Sequence, residues 1–234
     1  MKPNIIEKKI LVQKVFNKVV NKYDLMNDIL SFGSHRLWKK QMISWLSPNK
    51  NTVLLDMATG TGDIAKLFLK YIENKGIVYA VDSNSKMLEI AKKKLARFKN
   101  VKWHLSSAEK LTFNDNYFDY YSISFGLRNA NNINHVLQEA YRVIKPGGRF
   151  ICLEFSKIKN YNFKRLYDFY SKSIPKIGNI VIGDDEPYEY LVKSIENFYN
   201  QEELINLMKK NNFYKSEYRN LCGGIVAIHS GWKI

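Results

Sequence analysis

Two carboxylates and a glycine-rich turn stand where a nucleotide could be held. Residues 54–65 read Leu-Leu-Asp-Met-Ala-Thr-Gly-Thr-Gly-Asp-Ile-Ala: an apolar run ending in Asp56, then Gly60 and Gly62. A second apolar run, Val78-Tyr79-Ala80-Val81, ends in Asp82. Gly60, Gly62 and Ala65 satisfy G-x-G-x-x-[GA] with an acid twenty residues beyond Gly62, which keeps a dinucleotide site open. That fingerprint puts its first glycine directly at the strand end, whereas Met57, Ala58 and Thr59 intervene here. A carboxylate at the position of Asp56 repels a pyrophosphate and suits a ligand with cationic ammonium and sulfonium groups. This points to S-adenosylmethionine, with Asp82 accepting both ribose hydroxyls. Gly60 and Gly62 then allow close backbone approach to the cofactor, and Thr61 offers its N–H and hydroxyl to the cofactor's amino-acid part.

The elements that must position these groups follow from periodicity. Residues 5–46 read as helical, with an apolar stripe of Ile10, Val15, Phe16, Val19 and Val20. The segment Tyr23–Asp28 breaks that pattern, and Ser31-Phe32-Gly33 predicts a turn before a helix carrying Leu37, Trp38 and Ile43. A turn cluster at residues 47–51 opens the main domain. Strands are predicted at 53–56, 77–82, 101–105, 118–124 and 149–155, with helices at 62–74, 84–98 and 132–144 between them. Asn84 or Ser85 is the expected cap of the second of these helices. Lys145-Pro146-Gly147-Gly148 reads as a helix stop and turn. Such alternation implies a parallel sheet with right-handed crossovers.

Residues 157–198 leave the rhythm and are rich in aromatic residues, which suggests an inserted helical cap. A helix at 201–212 and strands at 213–221 and 224–232, joined at Gly223-Gly224, close the fold. The expected architecture is therefore a single α/β domain with a seven-stranded, mostly parallel, Rossmann-like sheet. Residues 1–47 form a helical lid, 51–156 the cofactor-binding core, 157–198 the substrate cap, and 199–234 the closing helix and strands. In an open parallel sheet, ligands lie beyond the carboxyl ends of the strands. Asp56, Gly60, Thr61, Gly62, Asp82, Ser107, Ala108 and Ser124 all map to the ends of the first four strands, with Ser107 and Ala108 near the adenine.

Bulk properties narrow the classes. A chain of 234 residues suits one domain. Cys152 and Cys222 are the only cysteines and have no CxxC or histidine spacing, so a reduced cytosolic protein without a zinc site is expected. No signal peptide is visible at the N-terminus, and no apolar run approaches the ~18 residues a membrane span needs. The net charge of +15 has three readings: a basic coding bias, an anionic membrane surface, or nucleic acid. Only seven of the 37 basic residues are Arg, and Asn reaches 24 residues. Base and phosphate recognition favours Arg, so the nucleic-acid reading is the weakest.

Several segments carry a resemblance that spans nearly the whole chain: Tyr23-Asp24-Leu25-Met26-Asn27-Asp28, Ser31-Phe32-Gly33-Ser34-His35-Arg36-Leu37-Trp38-Lys39, Ile123-Ser124-Phe125-Gly126-Leu127-Arg128-Asn129 and residues 141–148. Together they resemble the C-methyltransferases of ubiquinone and menaquinone biosynthesis. The resemblance implies a class I methyltransferase fold and S-adenosylmethionine as methyl donor, with no metal. Thr61, Asp82, Ser107, Ala108 and Ser124 match cofactor-contacting positions. It departs from the common pattern at Thr59, where many members have Gly, and at Ser107, often Asn or Asp. The implied reaction is C-methylation of a polyprenylated quinol, demethylmenaquinol to menaquinol, with the equivalent benzoquinol step as the alternative. Arg128 is the candidate to stabilise the developing phenolate, Asn129 stands beside it, and Tyr23 belongs to the lid. His35 reads first as a structural histidine. A nicotinamide-dependent oxidoreductase and a basic nucleic-acid-binding module are the more remote readings. The expected partners are a membrane-dissolved quinol and an anionic membrane surface, with homodimerisation open and no nucleic acid. The expected location is cytoplasmic, at the inner face of the membrane when docked.

Overall fold

The structure is a computed structural model, and it describes residues 5–159 and 183–234 together with Tyr161, Arg165, Tyr170, Ile174 and Asn179. Of the segment expected to form the cap, residues 160, 162–164, 166–169, 171–173, 175–178 and 180–182 lie outside the described residues. Seven strands form one sheet: β1 (Thr52–Met57), β2 (Gly76–Asp82), β3 (Val101–Leu105), β4 (Phe118–Ser124), β5 (Ile144–Phe155), β6 (Tyr214–Leu221) and β7 (Val226–Trp232). Their order is β3-β2-β1-β4-β5-β7-β6. The first five run parallel, and β7 runs antiparallel to both neighbours. The α/β expectation of a mostly parallel seven-stranded sheet is met.

Strand period sorts the core into two layers. Leu54, Val78 and Ile151 face α3 (Ser34–Leu46) and α4 (Asp63–Tyr71), meeting Met42, Ile43, Ile64 and Phe68. Their neighbours Leu55, Tyr79 and Phe150 face the other way, onto α6 (Ile133–Val143) and α8 (Gln201–Lys210). Between them in sequence come α5 (Ser85–Lys94) and α7 (Glu186–Glu196). Asn84 caps α5, its side chain accepting from the N–H groups of Lys86 and Met87. A third, smaller cluster joins α1 (Ile5–Val19) and α2 (Tyr23–Ser31) to the cap side, through Val19, Met26, Ile174 and Tyr188.

Two expectations need correction. The segment Tyr23–Asp28 does not interrupt the helices but is the body of α2, entered through a single 3-10 turn at Val20–Lys22. Its left-handed end at Phe32 then returns N–H groups to the carbonyls of Asp28 and Ile29. Lys145–Gly148 is not a turn ahead of the strand. β5 already starts at Ile144, and its register against β4 shifts between the Phe118 and Tyr120 pairings. Gly147 gives its N–H to the Lys233 carbonyl, and Lys233 returns one to Gly148, so this bulge is held as sheet.

The exits of β1 and β4 are pressed together above the sheet. Ala58 and Phe125, directly after those strands, both hold left-handed backbone, with φ of 52° and 54°. An L-residue there stores strain that surrounding structure must hold. A Cβ placed on Gly126 would stand 2.5 Å from the Cβ of Ala58, so only glycine lets these loops meet. Gly126→Ala is expected to push the exits apart and cost about 1–3 kcal/mol, read as a lowered urea midpoint. An unchanged midpoint would show that the contact yields freely.

Candidate active site

The turn after β1 is organised from below by Asp56. Its carboxylate is buried, accepting from the Thr59 hydroxyl at 2.6 Å and the Ser122 hydroxyl at 2.8 Å. Burial pushes its pKa up to about 6, against the pull of these donors and of the Ala65 backbone. Asp56 is not among the residues that line the cavity above the turn. The structure thus brings the first sequence-predicted carboxylate beneath the site, where it fixes the turn, and not to its surface.

Asp82 does reach the surface of the site. Its Oδ2 accepts the Gly60 N–H at 2.9 Å, and its Oδ1 accepts the Asn84 N–H at 2.9 Å. Burial pushes its pKa up, opposed by the backbone donors of Asn84, Gly60 and Ser83. A carboxylate has about four lone-pair sites, so acceptor capacity remains for a further donor. Asp82 lines a cavity of about 320 Å³ with Met57, Ala58, Gly60, Ser107, Ala108 and Ser124. Phe125, Asn129 and Asn131 close its far wall, and Phe16 and Tyr23 of the N-terminal helices roof it. Ser124 Oγ and Asn131 Oδ1 are buried without a partner among the described residues. Buried polar atoms need partners, so a polar ligand suits this cavity. A nucleoside with a ribose for Asp82 and an amino-acid part beside Gly60 fits the residues present, as S-adenosylmethionine requires.

Thr61 and Gly62 serve the site from behind. The Thr61 hydroxyl donates to Asp24 Oδ1 of α2 at 2.8 Å, and Lys94 bridges Asp24 and Asp63 at 2.7 Å each. Lys39 closes the cluster on Asp63 at 2.8 Å. Thr61 therefore ties the lid to the turn instead of presenting its hydroxyl to the cavity. Gly62 is left-handed, with φ of 83°, and a Cβ there would meet Leu95 at 2.8 Å, so it permits close packing against α5.

A second cavity, of about 260 Å³, adjoins the first and shares Phe16, Tyr23 and Phe125 with it. Its lining is mainly apolar: Val19, Met26, Trp38, Phe155, Leu191 and Ile225 among others. Residues such as Phe155 and Leu191 do not stand out in sequence, because their contribution depends on which elements converge here. Arg128 also borders it. Its Nη1 pairs with Glu154 at 2.8 Å and donates to the Phe125 carbonyl at 2.6 Å. The pair is deeply buried, at 7% exposure for the arginine side chain and 0% for the glutamate. Burial pushes the Glu154 pKa up while Arg128 opposes it. No hydrogen bond engages Nη2 among the described residues, which leaves that edge of the guanidinium free to meet a ligand oxygen. Asn129 accepts from the Tyr190 hydroxyl at 3.0 Å, linking the first cavity to α7. Of the three residues expected to catalyse, Tyr23 thus stands between the cavities, Asn129 on the first and Arg128 on the second.

No group of metal-ligating side chains occurs among the described residues, and none of their helices is long and apolar enough to cross a membrane. Cys152 and Cys222 are both free.

Two measurements follow from this geometry. Asp82→Ala should weaken S-adenosylhomocysteine binding by about 1.5–3 kcal/mol, the range for hydrogen bonds to a charged group. Calorimetry giving unchanged affinity on a folded variant would remove Asp82 from the ribose role. Arg128→Ala should strand the Glu154 carboxylate and lower stability by about 3–5 kcal/mol. Most of that loss should return in the Arg128→Ala, Glu154→Gln double variant. Equal urea midpoints for the single and double variants would show that the pair is not the cause.

The comparisons with known proteins agree with the geometry. The ubiE/COQ5 methyltransferase family matches residues 3–233. A relative from Rickettsia akari, named ubiquinone/menaquinone biosynthesis C-methyltransferase UbiE, is 52% identical over 240 residues, covering 100% of this chain and 96% of the relative. One of the same name from Zymomonas mobilis is 48% identical over 231 residues, covering 97% and 94%. Among solved structures, a methyltransferase from Thermotoga maritima, described as a possible histamine N-methyltransferase, superposes with a TM-score of 0.65 at 22% identity, over 95% of this chain and 99% of that one. A SAM-dependent methyltransferase from Aquifex aeolicus gives 0.62 at 17% identity, over 84% and 89%. At such identities the two structures speak for the fold alone. The sequence matches go further: this chain belongs to the ubiE/COQ5 methyltransferase family and uses S-adenosylmethionine as its cofactor.

Proposed function

We propose that this chain methylates a ring carbon of a polyprenylated quinol, and that its principal step is demethylmenaquinol to menaquinol. The observation that carries the reading is the apolar cavity set against the cofactor cavity across Phe16, Tyr23 and Phe125. The aromatic side chains of Trp38, Phe125 and Phe155 line this cavity and suit a flat aromatic ring. S-adenosylmethionine, when bound, supplies an electrophilic methyl group. Asp82, Ser107, Ala108 and Ser124 hold it, and the backbone at Gly60 lets it approach. Holding two reactants in line contributes roughly 7–11 kcal/mol.

The remaining work falls to side chains around the ring. Arg128 offers a fixed positive charge for a quinol oxygen as negative charge develops there. Tyr23 covers the wall between the cavities and excludes water, and Asn129, held by Tyr190, fixes the position of the loop after β4. The relatives' names cover both quinone pathways. The segment Gly223-Gly224-Ile225-Val226-Ala227-Ile228-His229 resembles that of menaquinone-pathway members, which favours the naphthoquinol, and the benzoquinol step is the alternative.

Access to a membrane-dissolved substrate is proposed to come from reversible docking on an anionic surface. Basic residues near such a surface contribute about 1 kcal/mol each, and this chain carries a net charge of +15. Two measurements test these readings. Mass spectrometry of the quinones of a complemented deletion host should show methylated naphthoquinone restored. Restoration of the benzoquinone alone would assign the other ring, and restoration of neither would sink the quinol reading. In flotation assays, binding to anionic vesicles should fade from low to high salt. Equal binding to neutral vesicles would end the docking proposal.

A further inference from the structure

The apolar cavity holds one nitrogen base with a free lone pair. His35, on α3, lines this cavity and is only 3% exposed. Its Nε2 lies 2.7 Å from Asp28 Oδ1 of α2. Asp28 is ionised: the Arg36 guanidinium holds its carboxyl well below the usual carboxylate range, with His35 adding to the effect. An ionised carboxylate only accepts, so the hydrogen of neutral His35 sits on Nε2 and Nδ1 carries the lone pair. Nδ1 is buried and has no hydrogen-bond partner among the described residues. The backbone is fixed as well, since the His35 N–H donates to Ser31 Oγ and Ser31 in turn donates to the Asn27 carbonyl. The arrangement is a carboxylate, an oriented imidazole and an unpartnered acceptor on a residue that lines a ligand-sized space. That is the grouping expected of a general base.

We propose that His35 is the general base of the reaction, taking the hydroxyl proton of the quinol at Nδ1. This rests on the quinol reading given above. The quinol O–H bond breaks, an Nδ1–H bond forms, and the electron pair stays on oxygen, where conjugation makes the ring carbon nucleophilic. Once that carbon has gained its methyl group it sheds its own proton to water and the ring becomes aromatic again. The proton on Nδ1 then returns to the oxygen, so one proton is released per turnover and His35 ends as it began. Asp28 is a positioning residue that fixes the tautomer and steadies the transient imidazolium.

The groups around His35 set its pH response. Burial lowers its pKa from the ordinary value, the Lys39 ammonium lowers it further, and Asp28 and the more distant Asp63 pull the other way. The net direction is downward, so His35 is a neutral base at neutral pH. Activity should be lost only as pH falls below the ordinary histidine value.

The test uses His35→Gln, whose Nε2 can still donate to Asp28. Expected are a fall in kcat of about 10²–10⁴-fold, loss of the acid limb of the pH profile, and unchanged melting temperature and S-adenosylhomocysteine affinity. A second readout needs no turnover. In the protein with S-adenosylhomocysteine, the 15N resonance of His35 Nδ1 should shift when 4-methoxy-1-naphthol binds. It should not shift with 1,4-dimethoxynaphthalene, which has no hydroxyl to donate. A His35→Gln kcat within tenfold of the parent, a persisting acid limb, or an equal response to both naphthalenes would overturn the proposal. So would a joint collapse of stability and cofactor affinity without a hydroxyl-dependent shift, since that marks a purely structural histidine. A parent protein that methylates no quinol would count against the proposed function instead, and the naphthol shift would still report on the base.

Discussion

A carboxylate buried at the end of a central strand must be given donors, and the donors of Asp56 come from three separate elements of the site. Thr59 comes from the turn, Ser122 from β4, and the Ala65 N–H from α4. Satisfying one acceptor therefore fixes the direction in which the chain leaves β1. Everything above inherits that direction: Gly60 lies under Asp82, Ala58 is held left-handed against Gly126, and Thr61 is turned outwards to Asp24. An unpaired buried acceptor costs about 1–3 kcal/mol or more, so the turn has little freedom to relax.

From this constraint the two cavities acquire unlike characters. The sheet ends supply backbone groups and carboxylates, which suit a nucleoside. The N-terminal helices and the cap side supply aromatic and aliphatic side chains, which suit a quinol ring. The reacting atoms must meet where those surfaces join, at Phe16, Tyr23 and Phe125. The ionic groups nearest the apolar cavity occur as pairs, Arg128 with Glu154 and His35 with Asp28. Each pair fixes one face of its cation or base and leaves the other for chemistry.

Much of this was legible in the sequence because it is local. Short apolar runs mark the strands, and Asp82 is placed by its position at the end of β2. The family was legible from restricted segments such as Ser124–Asn129. The rest depends on distant partners. Nothing near Asp56 in sequence announces that Ser122 will bury it, and nothing near Arg128 announces Glu154. Tyr23–Asp28 looked like an interruption because Asp24, Asn27 and Asp28 are polar. Asp24 and Asp28 make their bonds sideways, to Thr61, Lys94, His35 and Arg36, so the helix runs on beneath them. Lys145–Gly148 has turn composition, but pairing with the C-terminal Lys233 overrides that preference.

The roof over both cavities has a hydrophobic cluster of its own, small and separate from the two that hold the sheet. Polar bonds fasten it further, among them Thr61 and Lys94 to Asp24 on one side and Lys14 and Lys18 of α1 to Asp184 and Glu186 on the other. Segments with few buried apolar contacts are the ones that open locally at less than the free energy of global unfolding. The molecule is thus divided by how strongly its parts are fastened. The floor holds the groups that line the nucleoside cavity, while the roof is fastened by a smaller apolar cluster and by partly exposed ion pairs that salt weakens.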